Sequence, residues 1–213
     1  HKTYSLFYIM ALSKNDPNSC ANSEEFLTTK LSIDLKISFE TKILSGNVFL
    51  TFKRKESCPK TATHLFLDTR DLNIRKVLYK GTELCFSLTP YEKVELGSKL
   101  DIKLPECSPE YELDIHYETS PECSALQWLA PIQTKGGKHP FMFSQCQAIH
   151  ARSLLPCQDS PGVKAPYTAR ITVSDDLNVV MSAKKDKVEP SNEGDKLKTH
   201  LFTQSFPISI YLL

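Results

Sequence analysis

The chain has 213 residues, 40% of them hydrophobic and 24% charged, with a formal net charge of +1. That size suits one large β domain or two small ones, and the balanced charge leaves no electrostatic footprint for nucleic acid. No apolar run approaches the roughly 20 residues of a membrane span.

Taken in order, Leu6 to Leu12 is apolar after Lys2, but it is short and leads into Ser-Lys-Asn-Asp-Pro, a poor cleavage region for a signal peptide. Residues 13–28 are polar, and residues 1–28 are expected to form a flexible leader. From there the dominant period is two, the mark of strands with one buried face. Leu31, Ile33, Leu35, Ile37 and Phe39 alternate with polar neighbours; Val48, Leu50 and Phe52 follow a turn read at Ser45-Gly46-Asn47. Shorter pieces come at Leu65 and Leu67, Leu72 and Ile74, and Val77 and Tyr79, with a turn at Lys80-Gly81-Thr82. Leu100, Ile102 and Leu104 alternate again, as do Tyr111, Leu113, Ile115 and Tyr117. Tyr167 to Val173, Val179 to Met181, and the run from Leu197 to Phe202 complete the strands. Lys184 to Lys198 reads as a solvated hairpin loop, and only Ala148 to Leu155 as a short helix. Many short strands with frequent turns and no internal repeat predict an all-β fold of several mainly antiparallel sheets, one domain over residues 29–213.

Seven scattered cysteines without a C-x-x-C pair read as reduced thiols, which places the chain in the cytoplasm. The chain opens on His1, whereas Met10 resembles a natural start. It ends at Pro207-Ile-Ser-Ile-Tyr-Leu-Leu213, within an apolar run. A fragment of a longer protein is therefore expected.

The most informative stretch is Phe141 to Tyr167. If Phe141 to Ala148 is extended, Gln145 and Gln147 share one face and Cys146 takes the other. Two neighbouring amides accept from an ammonium and donate to a carbonyl, which suits a peptide N-terminus. Pro156-Cys157-Gln158-Asp159-Ser160-Pro161-Gly162 then reads as a presented turn. Arg152 and Asp159 flank its first proline, and the simplest role for them is an ion pair that fixes the loop.

Chemistry of the chain's own is harder to find. The six histidines begin no H-E-x-x-H motif, so no catalytic residue and no metal ligand is assigned. His139, Cys146, His150 and Cys157 qualify as zinc ligands by type, yet their spacing fits no zinc pattern and separate structural roles are preferred. Cys146 with His150 as nucleophile and base lacks an orienting group, so Cys146 is read as a small buried thiol. Trp128 is read as a core anchor.

Three segments carry a resemblance: Ser124-Ala-Leu-Gln-Trp-Leu-Ala-Pro-Ile-Gln-Thr134, Phe143-Ser-Gln-Cys-Gln-Ala-Ile-His150 and Leu155-Pro-Cys-Gln-Asp-Ser-Pro161. Together with Leu67-Asp-Thr-Arg-Asp-Leu-Asn-Ile74, they resemble the N-terminal domain of the zinc aminopeptidase family over roughly residues 28 to 213. Most members carry glutamate where this chain has Gln147; glutamine resembles the branch that adds epoxide hydrolase to aminopeptidase activity. The resemblance implies a β-saddle domain set against catalytic and helical domains that this chain lacks. It implies that Gln145, Gln147 and Ala148 bind substrate, with Gln147 on the free amine of peptide N-termini or beside a fatty-acid epoxide. The H-E-x-x-H and G-x-M-E-N segments, and with them the parent's zinc, would lie outside this chain, which alone would hold no metal, show no activity and pack on its own catalytic domain. The competing reading is a non-catalytic β-sandwich interaction module.

Overall fold

The computed structural model describes residues 13–14, 16–105, 107–190 and 196–213. Thirteen strands lie among them, and the helical content is four three-residue 3₁₀ turns. Eight strands form one large sheet: β1 (Phe26–Ser38), β2 (Ile43–Arg54), β4 (Asn73–Tyr79), β5 (Thr82–Glu83), β8 (Glu110–Glu118), β11 (Lys164–Ser174), β12 (Lys184–Pro190) and β13 (Leu197–Ser209), in the order β12-β13-β11-β1-β2-β8-β4-β5. β3 (His64–Thr69), β7 (Ser98–Lys103) and β6 (Phe86–Pro90) make a second sheet; β9 (Leu126–Leu129) and β10 (Phe141–Ser144) make a two-stranded ribbon. Only β1 and β11 pair in parallel, so the all-β, mainly antiparallel architecture read from the period of two is what the chain adopts.

Alternation decides the packing. Leu31 and Ile33 of β1 sit opposite Leu50 and Val48 of β2, which in turn oppose Leu113 and Ile115 of β8. All six are buried and join Leu65 and Leu67 of β3 and Leu100 and Ile102 of β7 in one continuous core. Each such side chain contributes roughly 1.5–3 kcal/mol by leaving water. Ile74 and Val77, read as two pieces, belong to one strand with a bulge between Ile74 and Lys76.

Four local expectations are corrected. Gly46 lies inside β2, not in a turn; a Cβ there would stand 2.1 Å from the Asp34 carbonyl oxygen, and its φ is +151°. The reversal comes earlier, at Phe39–Lys42, where Lys42 takes φ 57°. Val179 to Met181 forms no strand and instead borders an apolar groove. Most of the hairpin loop expected at Lys184 to Lys198 is strand: β12 pairs with β13 along the sheet edge, while residues 191–195 fall outside the described residues. Of the helix expected at Ala148 to Leu155, one 3₁₀ turn at Ala151–Ser153 is present.

Residues 1–12 of the expected leader lie outside the described residues, but its later part is part of the fold. Ser19, Cys20, Ala21 and Asn22 are buried. Asn22 accepts from the Phe66 amide and donates to the His64 carbonyl, tying the segment to β3 before β1 begins at Phe26.

Candidate functional site

The β9–β10 ribbon delivers the glutamine segment. Phe141 pairs with Leu129 and Ser144 with Leu126, and the ladder is extended by the Gln145 amide, which donates to the Ala125 carbonyl at 2.7 Å. Beyond it Gln145, Gln147 and Ala148 are all exposed, while Cys146 is buried. The two amides and the alanine thus stand together on the surface, with the thiol turned inward. The Gln147–Ala148 peptide is cis. The segment closes as the His150 amide donates to the Cys146 carbonyl at 2.9 Å.

Beneath it lies a small polar cluster that sequence reasoning missed. Ser153 Oγ donates to the His150 carbonyl at 2.7 Å and accepts from the Ala125 amide and from Ser124 Oγ, each at 3.1 Å. Ser124 Oγ also lies 2.8 Å from His150 Nδ1, and Cys123 Sγ donates to the Ser153 carbonyl at 3.0 Å. Burial lowers the His150 pKa, helped by the guanidinium groups of Arg70 and Arg152.

The four residues considered as zinc ligands go separate ways. His139 pairs with Asp176 at the surface, His150 meets Ser124, and Cys146 and Cys157 are buried thiols. Among the described residues no three His, Cys, Asp or Glu side chains gather as a metal site. Burial pushes the Cys146 thiol up to about 12, the behaviour of a packing group and the reverse of an activated nucleophile. Trp128 is half-buried and meets Phe39 edge-on at 5.2 Å, with its indole nitrogen unpartnered.

The Pro156–Gly162 turn was expected to be presented, and here the structure differs. Cys157, Gln158 and Asp159 are buried, and only Pro161 and Gly162 are exposed. Cys157 and Asp68 of β3 exchange backbone hydrogen bonds. Gln158 Oε1 accepts from the Thr28 amide and hydroxyl, and its Nε2 donates to the Phe26 carbonyl, clamping the start of β1. Arg152 Nε meets Asp159 Oδ2 at 2.9 Å, the expected pair, and its other nitrogens donate to the Leu96 and Asn18 carbonyls. Asp68 completes this centre by accepting from Ser19 Oγ, the Cys20 amide, Tyr91 Oη and the Asp159 amide. Desolvation raises Asp159 to about 6 even beside the guanidinium. The turn is an internal fastener, and the glutamine segment beside it is exposed.

Comparison with known proteins covers the stretch that holds these elements. The Peptidase M1 N-terminal domain family matches residues 25–212. The chain is 37% identical over 201 residues to leukotriene A-4 hydrolase of Xenopus laevis, covering 93% of this chain and 32% of that protein. It is 41% identical over 201 residues to leucine aminopeptidase 2 of Ajellomyces capsulatus, with 92% of this chain and 32% of that protein covered. A solved structure of the Saccharomyces cerevisiae leukotriene A4 hydrolase superimposes with a TM-score of 0.81 at 33% identity, over 99% of this chain and 31% of that one. An M1 zinc metallopeptidase of Deinococcus radiodurans, 21% identical, shares the fold with a TM-score of 0.68 over 90% of this chain and 42% of its own. The chain spans about a third of the length of the curated relatives it matches. With the family matched across every described strand, the chain belongs to the peptidase M1 N-terminal domains.

Proposed function

We propose that the chain is the substrate-cleft domain of a bifunctional zinc metallohydrolase, an aminopeptidase that also opens a fatty-acid epoxide of the leukotriene A4 kind. The carrying observation is the exposed trio Gln145, Gln147 and Ala148, delivered by the β9–β10 ribbon with Cys146 turned inward. Gln147 accepts from the substrate's α-ammonium through its amide oxygen, while Gln145 and Ala148 line the same wall. A neutral amide binds an ammonium less strongly than a carboxylate does, and it imposes no like-charge repulsion on an anionic lipid. Zinc and the general base belong to the remainder of the parent protein, as the family resemblance implies for a chain with no H-E-x-x-H motif. The domain packs on its own catalytic domain, and the isolated chain is inactive. A reducing, cytoplasmic setting fits seven thiols of which five serve as buried packing groups.

The test uses the longer protein that contains this chain. Gln147→Leu is expected to lower peptidase kcat/KM by about 10- to 100-fold, matching the roughly 1–3 kcal/mol of a hydrogen bond to a charged group. Gln147→Glu is expected to keep or strengthen amine binding and to weaken turnover of an anionic lipid epoxide. Unchanged peptidase activity in Gln147→Leu, at unchanged stability, would remove Gln147 from the site.

A further inference from the structure

The glutamine segment is held from below by a closed chain of donors, and that chain dictates a proton position. Three contacts share two hydroxyl protons: Ser124 Oγ to His150 Nδ1 at 2.8 Å, Ser124 Oγ to Ser153 Oγ at 3.1 Å, and Ser153 Oγ to the His150 carbonyl at 2.7 Å. Each hydroxyl donates once. If Nδ1 were an acceptor, Ser124 would spend its proton on the imidazole. Ser153 would spend its own on the carbonyl, and the Ser124–Ser153 contact would have no proton in it. All three contacts are satisfied together only when Nδ1 carries hydrogen, so that His150 donates to Ser124, Ser124 to Ser153, and Ser153 back to the His150 carbonyl.

We propose that His150, in its Nδ1–H form, is a positioning residue that sets the place of Gln145 and Gln147 through Ser124 and Ser153. The mechanical link is short. Ser153 Oγ also accepts from the Ala125 amide, and the Ala125 carbonyl accepts from the Gln145 amide at 2.7 Å. The far end of the segment is fixed by the His150 amide on the Cys146 carbonyl at 2.9 Å. His150 therefore meets both ends of the piece that carries Gln147, its ring through Ser124 and Ser153 and its backbone amide at Cys146. Ser153 is buried, so these bonds are not exchanged readily for water. His150 touches no substrate in this scheme.

The inference rests on the reading of Gln147 above, and the experiment separates the two. In the longer protein, His150→Ala is expected to raise the peptide KM about tenfold with kcat nearly unchanged, because Gln147 holds the amine equally in ground and transition states. His150→Asn places an amide N–H where Nδ1–H stood and is expected to restore most of that loss. A residue with only a packing role would not be rescued by asparagine, which is smaller than histidine. Should His150→Ala fold poorly, Ser124→Ala breaks the same chain at a half-buried position. Nitrogen chemical shifts of His150 are expected to report a protonated Nδ1 in the neutral ring. The Nε2–H form, or an unchanged KM in His150→Ala where Gln147→Leu raises it, overturns the positioning role alone. An unchanged KM in Gln147→Leu would instead sink the underlying reading.

Discussion

Among the described residues Arg152 is the largest fully buried side chain, and it is charged. Its guanidinium lies between the Asp159 and Asp68 carboxylates at 2.9 and 3.8 Å and also reaches the Leu96 and Asn18 carbonyls. Buried pairs gain little over apolar substitutes, but removing one partner strands the others. Arg152→Met is therefore expected to cost about 3–5 kcal/mol in denaturant unfolding at pH 8. The pH dependence follows from Asp159. Its carboxyl is raised to about 6, above the 3.8 of an unperturbed group, so its ionisation opposes folding as pH rises through that window. At pH 5, below that value, Asp159 mostly holds a proton, so removing the guanidinium strands less charge and the variant's penalty should shrink there. An equal penalty at both pH values would mean that Asp159 is not the stranded charge. The sequence showed the Arg152–Asp159 pair because the two are seven residues apart around one turn. It could not show Asp68, Tyr91 or Ser19, whose contacts cross up to 91 residues.

Single strands were the most legible elements, since a period of two survives wherever one face is buried. Legibility failed where a backbone reason outweighed composition. Gly46 resembles a turn glycine, yet it is required inside β2 by the close approach of the Asp34 carbonyl. β12, with Lys184, Lys185, Lys187 and Glu189, has the composition of a loop because it is an exposed edge that strand-breaking charges protect. β13 carries a further testable feature. His200 is fully buried and stacks on Phe202 at 6.4 Å, and its ring nitrogens make no well-formed hydrogen bond, the Leu177 backbone being the polar group that approaches them. Burial, then Lys185 and Lys198, hold its pKa below the usual histidine value. A base lowered in this way carries no charge penalty above pH 6.5 and destabilises the fold increasingly as pH falls from 6.5 towards its folded value. His200→Leu is expected to leave stability unchanged or raise it by about 1–2 kcal/mol at pH 7, and to flatten the decline from pH 6.5 to 5. Thermal melts at the two pH values decide it: a variant less stable at pH 7 and just as acid-labile would show that His200 has a partner in solution.

At the scale of the whole molecule, strand order was not readable, because β1 joins β11 across more than 130 residues and no local pattern announces a parallel partner at that distance. What the fold then brings together, and no single segment announces, is the glutamine segment and an apolar surface. Phe141 and Phe143 precede Gln145 on β10, and the Ser144 hydroxyl donates to the Leu213 carbonyl, which brings the last residues beside the ribbon. Between them runs a groove of about 450 Å³, bounded by Ile33, Leu35 and Ile171 of the large sheet and by Phe143, Met181 and Leu213. Its rim is apolar and wet: Phe141 is 52% exposed, Leu212 47% and Val180 87%. A contiguous apolar surface of this kind drives association when no partner covers it. The 213-residue chain on its own is therefore expected to bind a hydrophobic dye and to self-associate as its concentration rises. Phe141→Ser combined with Val180→Ser should reduce both effects, because the two substitutions sit on the rim and leave the buried core untouched. Light scattering across a concentration series, with dye fluorescence in parallel, reads the outcome. A monodisperse monomer that leaves the dye dark would show that the groove closes on itself, and the proposed packing of a catalytic domain against it would fall with that result.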